Sequence, residues 1–435
     1  MGGPPKETDL ERLEQADLDD IIRKHADFVH GIRGGARAVV KFKDLTRLDF
    51  KGADLSQADF TGSILSEANL TGGTFRGTSF FACDMRHADL EGACFSRADF
   101  RGAYVMGANL AGADLKGADL REGKVMERGK QGVLENRVAD TRGAGAHKTV
   151  FAGANLTETD MSGSRAHAAD FTDADLAGVV VKDADFSGVD FSGANLSAAD
   201  FTGSNLEGVN MHAAIMSGTV LHMTETTGAN FSEALTDVTA GQKFEENEKP
   251  LSALLADHTA WIATAGRKGE RLDLSGYDMR GVVDLWQYPL TAVKAIGATF
   301  LHQNLHRIEM QSALLDRADF RDAGLAGADL RGSSLKGAMM TRADLSEAQA
   351  GPLRFTDEDG STWLQRINLA GANMRYAILR GADFRDAIMT GVDLSYAVLI
   401  DCDLRRADLS GAILDGADLS GALLQGTTIS GRHRG

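Results

Sequence analysis

The chain has 435 residues, and its 62 acidic and 46 basic side chains give a formal net charge of −16 at pH 7. This acidity argues against direct nucleic-acid binding, because a phosphate-binding surface needs excess positive charge. Three cysteines exclude a disulfide scaffold. No apolar run is long enough for a membrane span and Met1–Lys6 lacks a signal-peptide core, so we expect a cytoplasmic protein with no membrane association.

Along most of the chain, every fifth residue is large and apolar. The residue two positions earlier is usually small and the residue just before it is usually Asp or Asn, so the unit is A-(D/N)-(L/F)-x-x. One early run of the apolar positions is Leu45, Phe50, Leu55, Phe60, Leu65 and Leu70. A period of five fits neither the 3.6 of a helix nor the 2 of a strand. The pattern predicts a solenoid with the large and small residues inside and the other positions at corners.

Stretches such as Ala113–Leu120 and Ala417–Ala422 resemble the pentapeptide-repeat family. The resemblance covers most of the chain and implies an all-β fold, a right-handed quadrilateral β-helix in which each side is one pentapeptide. One coil would then take twenty residues. Residues twenty apart should stack, and Phe60, Phe80 and Phe100 have that spacing. Such a ladder would fix the register of the coils.

Breaks in the repeat divide the chain into two tandem modules, each begun by an α-helix that caps the open end of the first coil. A one-residue slip is expected near Asp284. The predicted segments, in chain order, are an N-terminal segment with a capping helix at 1–44, repeat block 1 at 45–125, a loop insertion at 126–150, repeat block 2 at 151–246, a second capping or linker helix at 247–273, repeat block 3 at 274–345, a hairpin insertion at 346–363 and repeat block 4 at 364–435.

The two helical segments align with each other and place His25 and His258 at equivalent positions. A ligand or a pH switch is one interpretation, and we favour packing histidines bonded to nearby backbone groups. Apolar residues at helical spacing should contact the first coil of each module. In the first helix these are Leu18, Ile21, Ile22, Phe28 and Val29. In the second they are Leu251, Leu254, Leu255, Trp261 and Ile262.

The two insertions are candidate binding elements, because long loops in repeat proteins often carry the binding. The first is glycine-rich and basic, and its candidate interaction residues are Arg128, Lys130, Arg137 and Arg142. The alternative is an insertion that lies on the neighbouring acidic coils. In the second insertion, alternating apolar residues flank an Asp–Gly turn. This pattern predicts a β-hairpin that Trp363 anchors to the coils.

Two pairs of arginines are also twenty residues apart and form candidate basic ladders. They are Arg101 with Arg121 and Arg385 with Arg405. If the coils stack as expected, each pair places two cations a few ångströms apart. Either the pair forms an anion site, or neighbouring Asp residues act as its counterions.

Block 2 is the most acidic part of the chain. Between 151 and 231 it holds eleven acidic residues against Arg165 and Lys182. With coils about 4.8 Å apart, this approaches one charge per ~2 Å, close to the charge density of DNA. Some members of the family imitate B-form DNA and bind type II topoisomerases, so the resemblance implies a possible regulatory function. The candidate acidic interaction face is Glu158, Asp173, Asp183 and Glu207, none of which directly precedes a core residue.

No Ser/His/Asp set, metal cluster or nucleotide-binding motif is present in the repeat, so neither catalysis nor a cofactor is expected. We expect a non-catalytic repeat scaffold that binds a protein partner through the β-helix faces and the two insertions. The alternative is a DNA-mimicking regulator of a topoisomerase or another nucleic-acid enzyme, acting through the acidic block 151–231.

Overall fold

The computed structural model describes residues 10–121, 126–128, 134–136, 148–237, 249–282, 284–357 and 359–429. It divides into two compact units, Met1–Asp237 and Val238–Gly435. The first contains the α-helix α1 (Gln15–Val29), and the second contains α2 (Leu251–Ala263). None of the described helices is long and apolar enough to cross a membrane.

In both units the backbone returns alongside itself every twenty residues. Asp59 pairs in parallel with Ser79, Ser79 with Asp99, and Asp99 with Asp119, and comparable ladders occur at every fifth position. The short strands β1 (Glu11–Arg12) and β2 (Lys43–Asp44) also pair in parallel. This spacing agrees with one coil per twenty residues.

The chain bends between ladders at a residue two positions after each core side chain. Its backbone is left-handed, as at Gln57 with φ +63° and at Gly62 with φ +71°. Glycine adopts this conformation without strain. The corner therefore explains why Gly so often follows the core residue at this spacing.

Stacked phenylalanines fill the interior. The ring of Phe80 lies between Phe60, with 5.5 Å between centroids, and Phe100, with 5.1 Å. Phe171 stacks in the same way on Phe151, at 4.5 Å. All these rings are buried, so the predicted stacking at twenty-residue spacing is confirmed.

The small inward position is usually alanine, and it also accepts other small side chains. Cys402 is buried there, and burial raises the pKa of its thiol to about 12. A hydroxyl in this position donates to a core-residue carbonyl twenty-three positions earlier. Ser63 Oγ donates to Val40 at 2.8 Å, and Thr78 Oγ1 donates to Leu55 at 2.8 Å. The buried hydroxyl is therefore satisfied by the coil below, which makes it tolerable in an apolar core.

Helix α1 packs against the core of its unit through the buried Leu18 and the partly buried Ile21 and Ile22. Phe28 is 43% exposed and Val29 is 44% exposed. The prediction that these two contact the first coil is therefore wrong. They lie in the last turn of the helix, after His25, which is the last of its buried residues.

The second helix packs in a similar way. In α2, Leu255 is buried against the core of the second unit, and Leu251 and Leu254 are partly buried against it. Trp261 stacks on the ring of His258, with 5.7 Å between centroids.

The equivalent histidines bond to the backbone of the first coil. The N–H of Ala38 donates to His25 Nδ1 at 2.9 Å, and His25 Nε2 lies 3.0 Å from the carbonyl oxygen of Ser56. In the second unit, the N–H of Leu272 donates to His258 Nδ1 at 3.1 Å. Burial lowers the pKa of both rings, which favours the neutral form that these bonds require. The predicted packing role is confirmed.

Among the described coils, the register changes by a single residue in the first coil of the second unit. Asp273 pairs with Lys294, twenty-one positions later. The short 3₁₀ helix Leu285–Gln287 lies in this coil, and Leu285 is buried. The slip predicted near Asp284 is thus confirmed.

Both insertions contain antiparallel strand pairs. Asn109 pairs with Val150 forty-one positions later, so twenty-one residues leave the register. They include β3 (Met126–Arg128) and β4 (Leu134–Asn136), which the sequence does not predict. In the second unit, Ser334 pairs with Asn368 thirty-four positions later, so fourteen residues leave the register. They include β5 (Leu353–Thr356) and β6 (Thr362–Gln365), which confirm the predicted hairpin.

Replacing Phe80 with alanine should lower the free energy of unfolding by about 3–5 kcal/mol. The substitution removes a ring from the middle of a ladder and leaves a cavity. Urea unfolding followed by circular dichroism measures the loss. The matched control is Phe81→Ala, which removes a ring outside the core, 5.6 Å from the Arg101 guanidinium. That loss should be below about 1 kcal/mol. Equal losses in the two variants would contradict the importance of the ladder.

Candidate functional site

The Asp or Asn that precedes each core residue has a structural role at the corner. Its side-chain oxygen accepts the backbone N–H two residues later. Asp54 accepts from Ser56 at 3.0 Å, and Asn69 accepts from Thr71 at 3.1 Å. Much of the acidic surface is therefore held in place by the repeat itself.

The first basic ladder is an alternating column of charges. Arg101 Nη2 lies 2.8 Å from Asp99, and its Nε lies 3.6 Å from Asp119 in the next coil. Arg121 repeats the arrangement, at 2.6 Å from Asp119 and 3.6 Å from Asp160. Each guanidinium thus lies between carboxylates that would otherwise repel one another.

The second basic ladder has the same arrangement. Arg385 Nη2 lies 2.7 Å from Asp383, and its Nε lies 3.7 Å from Asp403. Arg405 Nη2 lies 2.6 Å from Asp403, and this hydrogen bond lowers the pKa of that carboxyl. In both ladders, carboxylates occupy the positions beside the arginines that an anionic ligand would need.

In other columns an asparagine replaces one of two stacked carboxylates. Asn195 Nδ2 donates to Asp175 of the preceding coil at 3.0 Å, and Asn205 donates to Asp185 at 3.2 Å. The five-residue period alone does not reveal this pairing. An Asn twenty residues after an Asp is the signal that could have found it.

The four acidic candidates lie on four different corners. With a repeat of twenty, residues share a corner when their numbers differ by a multiple of twenty, within one position. The six differences among Glu158, Asp173, Asp183 and Glu207 are 10, 15, 24, 25, 34 and 49, so no two of them share a corner. The structure therefore distributes them around the coils and does not bring them together on one face.

Their individual environments also differ. Lys116 Nζ lies 3.4 Å from Glu158. Asp173 and Asp183 have left-handed backbones, with φ of +55° and +52°, and their carboxylates lie against the backbone of a glycine in the next coil. The side chain of Glu207 is exposed. Asp183 also lines a shallow polar depression, together with Gly163, Ser164, Arg165, Ala184, Asp185, Gly203 and Asn205.

Most of the basic candidates of the first insertion lie outside the described residues. Arg128 belongs to β3, and Lys130, Arg137 and Arg142 lie outside the described part of the chain. At the end of this insertion, Lys148 Nζ lies 3.2 Å from Asp170 of block 2.

The second insertion contacts the coils at its base. Leu353 and Gln365 lie against Gly332, and Gln365 Nε2 donates to the carbonyl of Gly332 at 2.7 Å. Trp363 is 46% exposed and stacks on Phe355. The prediction that Trp363 anchors the hairpin is therefore wrong, because Trp363 lies two residues nearer the turn than the anchoring Gln365.

The repeat agrees with a known family. Eight copies of the pentapeptide-repeat model match residues 44–80, 83–121, 147–183, 184–222, 313–349, 361–391 and 387–426, which together exceed half of the chain. The chain belongs to the pentapeptide-repeat family. As a pentapeptide-repeat protein it has the right-handed β-helix of that family. Comparison with curated proteins finds no match.

Solved structures of other pentapeptide-repeat proteins resemble it. A trypsin-treated form of QnrB1, a plasmid-mediated fluoroquinolone resistance protein, is 21% identical, over 44% of this chain and 89% of QnrB1, with a TM-score of 0.25. HetL, involved in heterocyst differentiation regulation in the cyanobacterium Nostoc sp. strain PCC 7120, is 19% identical, over 93% of this chain and 94% of HetL, with a TM-score of 0.13. The family assignment rests on the repeat model and not on these likenesses.

Replacing Arg101 with glutamine should destabilise the first unit slightly, and more at low than at high NaCl concentration. The substitution removes one cation from between Asp99 and Asp119, whose repulsion is screened by salt. Thermal unfolding at two salt concentrations measures the effect. Adding Asp119→Asn should restore stability, because an amide there can donate to Asp99 as Asn195 does to Asp175. A loss that is independent of salt, or that Asp119→Asn leaves unchanged, would contradict the charge-spacing role.

Proposed function

We propose that this pentapeptide-repeat protein is a non-catalytic scaffold that binds protein partners through its β-helix faces and its two insertions. We further propose that each unit is a quadrilateral module capped by its N-terminal helix. Ladders at every fifth position, closing after twenty residues, support four sides per coil. The burial of Leu18 and Leu255 against the cores supports the capping role of α1 and α2.

One observation carries the binding proposal: each unit extends an antiparallel strand pair out of the coil register. In the second unit this pair exposes Phe355, Trp363 and Leu364, although its base is fixed to Gly332. Many corner carboxylates and arginines of the described coils are engaged by the hydrogen bonds and ion pairs of the repeat, as Asp54 and Arg101 are. Phe355 and Trp363 stack on each other within the hairpin, yet all three apolar side chains remain exposed. Exposed apolar surface of this kind is typical of a contact surface.

Deletions that restore the register test the proposal. Removing residues 126–146 would bring Asn109 and Val150 to a spacing of twenty, and removing residues 352–365 would do the same for Ser334 and Asn368. Both shortened proteins should fold, because the coils on either side of each gap already pair.

We expect the tagged full-length protein to retain a defined partner from native cell extract, and at least one deletion to abolish that capture. Circular dichroism and thermal unfolding of the shortened proteins serve as the folding control. Undiminished capture by both deletions would count against insertion-mediated binding.

A second candidate function is DNA mimicry by block 2. It is supported by the excess of acidic over basic residues between 151 and 231. Only part of this charge is offset by ion pairs, such as those of Lys148 with Asp170 and Lys182 with Asp200. Because the acidic candidates surround the coils, the field of the whole block would act and not a single face.

For this candidate, excess protein should inhibit supercoiling by a type II topoisomerase in a salt-sensitive way. Inhibition should be lost when Glu158, Asp173, Asp183 and Glu207 are all replaced by lysine. The matched control reverses Glu309, Glu347, Asp401 and Asp415 in the second unit and should still inhibit. Supercoiling that is unchanged by excess wild-type protein would exclude DNA mimicry of the topoisomerase.

A further inference from the structure

The tip of the second hairpin holds an exposed aromatic pair. Phe355 and Trp363 lie opposite each other in the register of β5 and β6. Their ring centroids are 4.6 Å apart and their planes are inclined by 21°. Phe355 remains 38% exposed and Trp363 remains 46% exposed. The rings therefore stack on each other while keeping substantial contact with solvent.

The turn beside these rings is organised by two carboxylates. Trp363 Nε1 donates to Asp357 Oδ1 at 3.2 Å, and the backbone N–H of Asp357 donates to the carbonyl of Ser361 at 2.8 Å. The N–H of Ser361 donates to Asp359 Oδ1 at 2.8 Å. The indole N–H is thus already used within the turn. A ligand could therefore contact the exposed ring surface and donate hydrogen bonds to the carboxylate oxygens that are still able to accept them.

The charge of the hairpin indicates which ligand fits. Between residues 353 and 365 the sequence has three acidic side chains and a single basic one, Arg354. Acidic groups of a partner would be repelled by this excess. A purely apolar partner would bury the carboxylates of Asp357 and Asp359 without compensation. A guanidinium satisfies both features, since it stacks on an aromatic face and pairs with a carboxylate through several N–H groups.

We propose that the hairpin tip, formed by Phe355, Asp357, Asp359 and Trp363, binds an arginine side chain in a basic segment of a partner protein. The guanidinium lies over the exposed ring surface and pairs with the carboxylate of Asp357. This inference rests on the proposed scaffold function and specifies the partner chemistry of one of its insertions.

The test uses the full chain labelled with 5-fluorotryptophan. The protein has three tryptophans, Trp261, Trp286 and Trp363, whose ¹⁹F signals are assigned with single Trp→Phe variants. The probe is N-acetyl-tetra-arginine amide at near-physiological salt. We expect a saturable shift of the Trp363 signal. Tetra-citrulline amide, which has the same shape without the charge, and tetra-glutamate amide should leave that signal in place.

Two controls test whether binding is specific to the hairpin tip. Trp286 is 48% exposed and lies in the same unit, so its signal reports non-specific attraction to the acidic protein. Asp357→Asn keeps an oxygen for the indole N–H and removes the charge, so it should weaken arginine binding severalfold without unfolding the hairpin.

Several results would overturn the inference. These are an unmoved Trp363 signal, an equal shift of Trp286, an equal response to citrulline, or tighter binding of tetra-lysine amide. A Trp363 shift that follows protein concentration alone would indicate a second copy as the occupant and would also overturn it. If partner capture needs residues 352–365 while the tetra-arginine probe fails, only the arginine assignment fails and the scaffold function stands.

Discussion

Backbone hydrogen bonds between successive coils constrain everything else in this protein. The N–H of Asp59 donates down to Ala38, while the N–H of Phe60 donates up to Ser79. These bonds are satisfied only if each turn of the chain has the same length. One residue too many is absorbed inside a coil, as near Leu285. Longer insertions leave the coil as a pair of antiparallel strands, and these strands satisfy many of their backbone hydrogen bonds with each other.

The same constraint creates an electrostatic problem that the side chains resolve. Coils stacked about 4.8 Å apart place each carboxylate close to its counterpart in the next coil. Arg101 and Arg385 separate two such pairs of aspartates, and Asn195 relieves another column by donating to Asp175. An acidic repeat can therefore remain stable, because its charges alternate with cations or amides along the column.

The period of five was sufficient to predict what repeats. It gives the phenylalanine ladders, the buried small position and the corner hydrogen bonds, and the Asp–Gly turn predicts the second hairpin. The burial of a side chain at the end of a helix or near the tip of a hairpin does not follow from the periodicity, because these segments do not repeat. Phe28, Val29 and Trp363 are residue types that are usually buried, yet each remains exposed, at the end of α1 or near the tip of the second hairpin. The place of an acidic residue within its pentapeptide shows that it does not precede a core residue, whereas the corner on which it lies depends on its place within the coil of twenty.

The way the coils close over each gap has an evolutionary consequence. Asn109 meets Val150 and Ser334 meets Asn368 as if the intervening residues were absent. The two ends of each extra segment must therefore leave and re-enter the repeat at neighbouring points. Selection can lengthen, shorten or exchange such a segment without disturbing the hydrogen bonding around it. The inserted segments and the coils that fold around them are thereby encoded in separate stretches of the gene, and each can change at its own rate.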